Sequence, residues 1–323
     1  WLKSQLRGRR GAGRSGPCAL CGPGAMAAEP PGGFPCGALV AISGLKGKVT
    51  PIEGTAGEPV DLNGARAQLV EWNAERGEWL VVTFDGSAAY IPRQSCFLLT
   101  PEELQGCDLV VGPSSAPEEL ALQMAELLAE KGFVAMRTML SAPQRAEVLD
   151  VAKGLDEDDL FSRLPVGFEA GYLGRGPGAK VALLESLQDQ QPELLASSLP
   201  QQDQQYTLFL QALTPHVQRH LGIRLYSRTN LMLRLPFAST ADEARYIAPV
   251  PQPREADAFL ATMGRKRLAL LHFLGPAGGE LRLVPRVPEL PELALVAEPN
   301  TLVLLQADLY EPHYAPAAEA LCL

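Results

Sequence analysis

Three stretches decide the fold: RLALLHFLG at 267–275, GGELRLVP at 278–285 and NTLVLLQADLYEPHYAP at 300–316. The first is predicted to be a barrel strand, because its residues alternate between two faces. Ala269, Leu271 and Phe273 fall on one face and His272 falls on the other. Glycine and proline separate the stretches, as turn residues do between strands. If Phe273 faces a pocket, His272 points away from that pocket.

These stretches resemble the core of the 2-oxoglutarate and iron(II) dependent dioxygenases, most closely the prolyl hydroxylase branch. The resemblance lies in their order, their spacing and the glycine and proline residues between them. Upstream, GFVAM at 132–136 resembles the opening strand of that family, and LYSRTNLMLRLP at 225–236 resembles the strand that leads into its metal-binding strand. The resemblance covers roughly the last two-thirds of the chain. It implies a mainly β fold with supporting helices (α+β), built as a double-stranded β-helix or jelly roll.

The resemblance also implies an iron site, in which two histidines and one carboxylate occupy one face of the metal. His313 matches the final histidine of the family and is the one metal ligand we expect. The strand that would carry the other two ligands matches residues 246–253. There Pro249 stands at the histidine position and Pro251 at the aspartate position. Proline side chains offer a metal no lone pair.

Two further family positions concern the co-substrate. An arginine that pairs with the far carboxylate of 2-oxoglutarate falls at Cys322, nine residues after His313. Only a guanidinium reproduces that bidentate geometry. A tyrosine that assists the same carboxylate falls at Phe273, which has no hydroxyl. With Pro249 and Pro251, these departures predict that the chain has no catalytic and no cofactor-binding residues.

Two function classes remain open. The first is a degenerate oxygenase kept as a binding or scaffold protein, with a protein or peptide partner and no cofactor. The second is an active dioxygenase of the peptidyl-proline hydroxylase type, which needs Fe(II) and 2-oxoglutarate. It would need altered ligation, with a carboxylate from the substrate or from a rearranged loop; the candidates in the chain are Asp242, Glu243, Glu255 and Asp257. The prolines and Cys322 favour the first class.

The domain organisation predicted from the sequence has four parts. Residues 1–36 form a disordered leader, basic in its first part and then rich in proline and glycine, 37–100 an SH3-like β-barrel, 101–107 a linker and 108–323 the oxygenase-like β-helix. The sequence stops close to where the family's last core strand would begin, so we expect either that this strand is missing or that the barrel closes differently. Cys18 and Cys21 form a lone C-x-x-C without a second pair or nearby histidines, so we interpret them as free thiols and not as zinc ligands.

Short apolar strands with tight turns predict the small barrel. Asn63-Gly64 and Asp85-Gly86 are turn dipeptides, because both central residues tolerate positive φ. The predicted strands are Ala38 to Ser43, Ala67 to Asn73, Trp79 to Phe84 and Ala88 to Ile91. Four aromatic residues either line a peptide groove or form the core: Trp72, Trp79, Tyr90 and Phe97. For Trp79 we favour the core, since it shares a face with Val81.

Composition limits the partners. The 323 residues carry a net charge of −9, which disfavours a nucleic-acid partner because phosphate binding depends on lysine and arginine. No apolar run is long enough to span a membrane, so we expect a soluble, cytoplasmic protein without a membrane partner. The six cysteines are scattered and form no disulfide framework.

Other candidates are weaker. His216 and His220 share one face of a helix predicted at 202–221, but no glutamate lies between them to act as a base. The acidic run 156–159 either holds a cation or faces water where a helix predicted at 143–155 ends. The loop 174–180 departs from a phosphate-binding loop, and its Arg175 and Lys180 could contact a partner.

Overall fold

The computed structural model describes residues 34–52, 59–104, 106–190, 194, 197–317 and 320–323. Nearly all of the predicted leader, including Cys18 and Cys21, lies outside these residues. The chain divides into two compact units. The first contains residues up to 105, 110–116 and 138–143, and the second contains 106–109, 117–137 and 144–323. Within the described residues, no helix is long and apolar enough to cross a membrane.

The first unit is built on a five-stranded antiparallel sheet with the order β4-β3-β2-β1-β5. Its strands are β1 Leu39–Ile42, β2 Arg66–Asn73, β3 Glu78–Thr83, β4 Ala88–Pro92 and β5 Cys96–Leu98. A single 3₁₀ turn, Arg93–Ser95, leads from β4 to β5, and β5 then pairs with β1. The predicted strands are therefore present, while the SH3-like assignment and the limits 37–100 and 108–323 stay predictions.

The hairpin between β3 and β4 follows from its turn residues. Gly86 has φ +88° and donates its N–H to the Thr83 carbonyl over 2.8 Å. A Cβ at Gly86 would lie 2.3 Å from the Ser141 Cα, so only glycine fits there. Beside this turn, one face of the sheet buries Val40, Ile42, Leu69, Trp79, Val81 and Ile91 as a core.

The second unit, with β6 spanning its boundary, supplies the remaining elements, numbered here in chain order. The helices are α1 Pro117–Lys131, α2 Ala142–Glu157, α3 Val166–Leu173, α4 Leu184–Gln190, α5 Ser198–Leu221, α6 Thr240–Arg245 and α7 Pro253–Arg265. The strands are β6 Leu109–Val111, β7 Phe133–Thr138, β8 Ser162–Arg163, β9 Ala179–Leu183, β10 Met232–Pro236, β11 Leu268–Gly275, β12 Gly279–Pro285, β13 Leu293–Val296, β14 Thr301–Gln306, β15 Tyr310–Pro316 and β16 Leu321–Cys322.

These strands form two sheets. The large sheet has the order β6-β7-β14-β11-β16-β10-β9-β8, and the small sheet has the order β13-β12-β15. From β10 onward the chain passes between the two sheets, with β12, β13 and β15 in the small one and β11, β14 and β16 in the large one. This is a double-stranded β-helix, as the sequence predicted.

Apolar alternation explains why the two sheets pack together. The inward-facing residues of both sheets form one core: Phe133, Phe273, Leu281, Leu283, Ala297, Val303, Leu305, Tyr310, Tyr314, Ala320 and Cys322. Phe273 is among them and His272 is not, which confirms the predicted face of β11. Because neighbouring residues of a strand point to opposite faces, the polar residues of β12 and β15 lie on the outside.

Helices support the unit. Helix α5 packs against α1 and ends at Gly222, which has φ +70° and stops the helix in the left-handed conformation. The helices predicted at 143–155 and 202–221 correspond to α2 and α5. The strand predicted at 225–236 is shorter than expected, since only Met232–Pro236 is strand. Strand β16 has two residues and lies between β10 and β11.

Candidate functional site

The predicted metal ligand lies on β15, whose two faces differ. Tyr310 and Tyr314 point into the core between the sheets. Glu311 and His313 have the opposite parity, and His313 is paired in register with Arg282 on β12. Leu281 and Leu283 flank Arg282 and belong to the core, so Arg282 and His313 share the outer face of the small sheet. The imidazole of His313 therefore faces away from the interior.

A loop covers the free edge of β15 next to His313. Arg175 forms a bridge with His313 and donates its N–H to the Pro312 carbonyl over 3.0 Å. Gly174 has φ +76°, and a Cβ there would lie 1.9 Å from the Pro312 oxygen. Gly176 has φ +143°, and a Cβ there would lie 3.2 Å from the His313 Cδ2. Glycine at both positions lets the loop approach this edge.

The segment expected to hold the other two ligands is not a strand. Residues 246–252 connect α6 to α7 without regular structure, and Ile247 and Val250 are 87% and 85% exposed. The expectation of a strand at 246–253 is therefore wrong. Pro249, Pro251 and Pro253 have no N–H to donate, so this stretch cannot complete a ladder with a neighbouring strand. Pro249 and Pro251 lie in this irregular connection.

The interior near Cys322 contains a buried cation that the sequence analysis missed. Arg234 on β10 is only 5% exposed and is paired in register with Cys322. Its guanidinium carbon lies 5.1 Å from the centre of the Tyr314 ring. Burial lowers the pKa of Arg234 and raises the pKa of the Cys322 thiol to about 12. Burial likewise raises the pKa of Tyr314, so the phenol and the thiol are neutral.

Arg234 has incomplete hydrogen bonding. Its terminal nitrogens donate to the carbonyls of Leu173 and Pro177 over 3.2 and 3.5 Å. Its Nε and the Tyr314 hydroxyl have no hydrogen-bond partner among the residues that the structure describes. Buried polar groups without a hydrogen-bond partner are uncommon in folded proteins. The burial of Arg234 cannot be read from LMLRLP at 231–236. The residues around it are apolar on both faces of the strand, so alternation does not show which face is buried.

The residues present do not fit an iron centre of the expected type. His313 faces outward, and the two matching positions are prolines outside any strand. Within the described residues there is no group of three or more His, Cys, Asp or Glu side chains able to hold a metal ion. The interior positions Phe273, Tyr314 and Cys322 are packed into the core, with the rings of Phe273 and Tyr314 4.8 Å apart.

His272 lies on the outer face of the large sheet and is buried under α5. Its Nδ1 is 2.6 Å from the Tyr206 hydroxyl, and the two rings meet edge to face. Burial lowers the pKa of His272 to about 3, and it raises the pKa of Tyr206. The imidazole is therefore neutral at neutral pH and shares a hydrogen bond with the Tyr206 hydroxyl through its Nδ1. This is a packing role between helix and sheet.

The histidines on α5 do not form a site. His216 Nε2 lies 3.5 Å from a carboxylate oxygen of Glu118 on α1, and His220 is exposed. His216 therefore lies at the contact between α5 and α1, and His220 faces solvent.

The acidic run and the basic loop meet in ion pairs. Lys180 Nζ lies 2.7 Å from Asp156 and 3.4 Å from Asp242. Burial lowers the pKa of Lys180, but the two carboxylates outweigh burial and raise it overall. Asp159 pairs with Arg245 over 2.9 Å. Lys180 thus joins β9 to α2 and α6 and is not available to a partner, whereas Arg175 is exposed and pairs with Glu311 over 3.0 Å.

In the first unit, the four aromatic residues divide between core and surface. Trp79 is fully buried in the core, and its ring meets that of the half-buried Trp72 at 5.4 Å. Tyr90 carries the guanidinium of Arg76 over its ring at 4.9 Å. Phe97 is 53% exposed. The core interpretation of Trp79 agrees with this geometry.

No family model and no curated protein matches the chain. Among solved structures it is similar to a prolyl hydroxylase of Trichoplax adhaerens in complex with a hypoxia inducible factor oxygen degradation domain peptide fragment. That likeness has 19% identity, covers 64% of this chain and 87% of that chain, and has a TM-score of 0.44.

Two further solved structures are similar to the chain. A prolyl 4-hydroxylase of Phytophthora capsici has 18% identity over 64% of this chain and 63% of that chain, with a TM-score of 0.38. A prolyl-4-hydroxylase of Pseudomonas putida has 14% identity over 63% of this chain and 96% of that chain, with a TM-score of 0.41. The assignment of the fold rests on the strand order of the two sheets.

Proposed function

We propose that the second unit is an oxygenase-like double-stranded β-helix that has lost its iron chemistry and acts as a binding or scaffold protein. One observation carries this proposal: the His313 side chain lies on the face of β15 opposite Tyr310 and Tyr314. A ligand on the outer face of the small sheet cannot share a metal with groups inside the β-helix. The ligands of one metal ion have to lie on the same face of the sheet, and His313 does not share a face with the interior groups.

The prolines support the same proposal independently. Even if β15 shifted by one residue and turned His313 inward, residues 249 and 251 would still offer no donor atoms. A single imidazole without partners and without supporting hydrogen bonds holds iron(II) weakly. A protein that performs no cofactor chemistry is expected to act by contact, so the partner we propose is a protein or a peptide. The first unit would contribute to the choice of partner.

The test is turnover of 2-oxoglutarate by the full chain with iron(II), with and without a proline-containing peptide. We expect no succinate above the level formed in protein-free controls. Saturable succinate formation that disappears in His313→Ala would contradict the proposal, because it would require His313 to serve as a ligand.

A second candidate, an active dioxygenase with altered ligation, has one observation in its favour. The buried guanidinium of Arg234 lies on the strand residue that pairs with Cys322, and Cys322 is the position at which the family resemblance implies an arginine. The unpartnered Nε of Arg234 is a suitable donor to the far carboxylate of 2-oxoglutarate. Titration of the chain with 2-oxoglutarate alone decides this point. Binding that is lost in Arg234→Met favours the second candidate, and absence of binding favours the first.

A further inference from the structure

A proline-rich segment connects α6 to α7. Residues 247–252 contain neither helix nor strand, and no turn or bend interrupts them. Every second residue from 249 onward is a proline: Pro249, Pro251 and Pro253. Each proline fixes its own φ at about −65° and disfavours the helical region for the residue before it. Residues 248–252 are therefore restricted, one after another, to the extended polyproline II conformation.

The exposure of the segment repeats every third residue. Ala248 and Pro251, which are three positions apart, are half-buried. The residues around them are exposed: Ile247, Pro249, Val250 and Gln252. A strand would alternate every second residue, whereas a polyproline II helix has three residues per turn and therefore three ridges. One ridge of the segment faces the protein and the other two face solvent. Gln252 has the backbone angles of this helix, with φ −70° and ψ 152°.

Both ends of the segment are held in place. At one end, the Tyr246 hydroxyl donates to Asp156 over 3.4 Å, and its ring lies 5.7 Å from the ring of Phe237. At the other end, the Gln252 N–H donates to the Glu255 carboxylate over 2.7 Å. The segment is therefore presented to solvent in one extended conformation. A partner that binds it loses little conformational entropy in ordering it.

The backbone of the segment offers acceptors to a partner. Among the residues that the structure describes, no group donates a hydrogen bond to the carbonyls of residues 247–251. Pro249 and Pro251 have no N–H groups, so the partner must supply most of the donors. Tryptophan and tyrosine side chains combine such donors with flat apolar rings. A groove lined by these residues fits both the carbonyls and the apolar ridges of the segment.

We propose that residues 247–252 bind the aromatic-lined groove of a small proline-recognition domain in a partner protein. Ile247 and Val250 lie on one exposed ridge, about 9 Å apart along the helix axis, and Pro249 lies on the other. These two ridges form the surface that such a groove contacts. The inference rests on the proposed function, because it names the class of partner for a binding protein.

Other modes of recognition fit the segment less well. Addition to the edge of a partner's sheet would need N–H groups that Pro249 and Pro251 lack. Folding into a helix on binding is opposed by the same prolines. An anionic lipid surface would be repelled by Glu255 and Asp257, which are exposed near the start of α7.

The test measures binding of the full chain to purified SH3, WW and EVH1 domains, the classes that recognise this conformation, by biolayer interferometry. We expect saturable binding to domains of at least one class. Val250→Glu places a charge on an exposed ridge and should weaken this binding at least about tenfold, because the charge would be desolvated in the groove. Val296→Glu is the matched control. It makes the same change at an exposed valine on β13 and should leave binding unchanged.

A second variant tests the conformation of the segment. Pro249→Gly keeps the side chains of Ile247 and Val250 but frees the backbone between them, and should weaken binding about fivefold. A synthetic peptide of residues 246–254 should compete with the full chain for the same domains. The same peptide with alanine in place of its three prolines should not compete. This comparison needs no folded variant, so it holds even where a substitution destabilises the chain.

Three outcomes would overturn the proposal. Absence of binding to all three classes would reject the segment as a ligand of proline-recognition domains. Equal binding of Val250→Glu and Val296→Glu would place the contact elsewhere on the chain. Self-association of the free chain that Val250→Glu abolishes would show that a second copy is the occupant. None of these results bears on the proposed loss of iron chemistry, which succinate formation measures separately.

Discussion

The two faces of β15 carry side chains of different kinds. Tyr310 and Tyr314 on the inner face are fully buried and hold the two sheets together. On the outer face, Glu311 forms ion pairs with Arg175 and Arg286, and His313 lies under a glycine loop. The inner face maintains the fold through packing, and the outer face carries the side chain that the resemblance marks as chemical. The packing of the fold and the candidate ligand therefore depend on different residues of the same strand.

The largest expected effect on stability lies in the first unit, where a buried aromatic residue, Trp79, can be compared with an exposed one, Phe97. Trp79→Ala deletes a fully buried indole and should destabilise this unit by ~3–5 kcal/mol. Phe97→Ala removes a ring that is 53% exposed and should change stability by less than about 1 kcal/mol. Thermal melts of the full chain, followed by tryptophan fluorescence, compare the two. If Trp79→Ala melts like the parent, its assignment to the core is wrong.

On the inner face of β15, Tyr314→Ala should cost ~3–5 kcal/mol, because the ring packs on Phe273 and under Arg234. Tyr314→Phe is the matched control. It removes a buried hydroxyl that has no hydrogen-bond partner among the described residues, so it should be neutral or stabilising. Urea unfolding measures both. A large loss in Tyr314→Phe would mean that the hydroxyl has an essential acceptor.

The pH dependence of stability should report on His272. Its folded pKa is about 3, below the usual value of about 6.5 in the unfolded chain. The unfolded chain therefore binds a proton first as the pH falls, and the stabilising contribution, complete above pH ~6.5, is lost progressively below it. At pH 5 the loss is about 2 kcal/mol.

His272→Gln removes this titration and provides the control. Urea unfolding at pH 7.5 and pH 5 should show a smaller pH effect in the variant than in the parent. An equal pH effect in both proteins would assign the titration to other groups.

The smallest effect belongs to the outer face. His313→Ala should change the free energy of unfolding by less than ~0.5 kcal/mol, because the imidazole is half-buried outside the core. The same urea unfolding measures it. A loss comparable to that of Tyr314→Ala would show that His313 packs inside the β-helix and would remove the contrast between the two faces.

The sequence predicted the strands of the β-helix well because apolar alternation and turn residues determine them locally. Strands β11, β12, β14 and β15 lie within the three stretches from which the fold was predicted. The strand expected at 246–253 is absent from the structure. Its position was taken from the family resemblance, but three prolines in this stretch have no N–H groups to pair with a neighbouring strand. The prolines at 249 and 251 thus remove both the ligand side chains and the backbone N–H groups of this segment.

The orientation of His313 was also present in the sequence. Tyr310 and Tyr314 have one parity and Glu311 and His313 the other, so alternation alone separates an apolar face from a polar one. The burial of Arg234 was not predictable in this way. It depends on which strands become neighbours, and that is a property of the assembled sheet.

Binding of iron(II) together with 2-oxoglutarate tests the central claim most directly. Anaerobic calorimetry compares the parent chain with Pro249→His, Pro251→Asp, the variant that restores both ligand types. We expect no iron-dependent binding of 2-oxoglutarate to either protein, because His313 faces outward and residues 246–252 are not part of a strand. Micromolar binding of 2-oxoglutarate that requires added iron in the parent chain would contradict it.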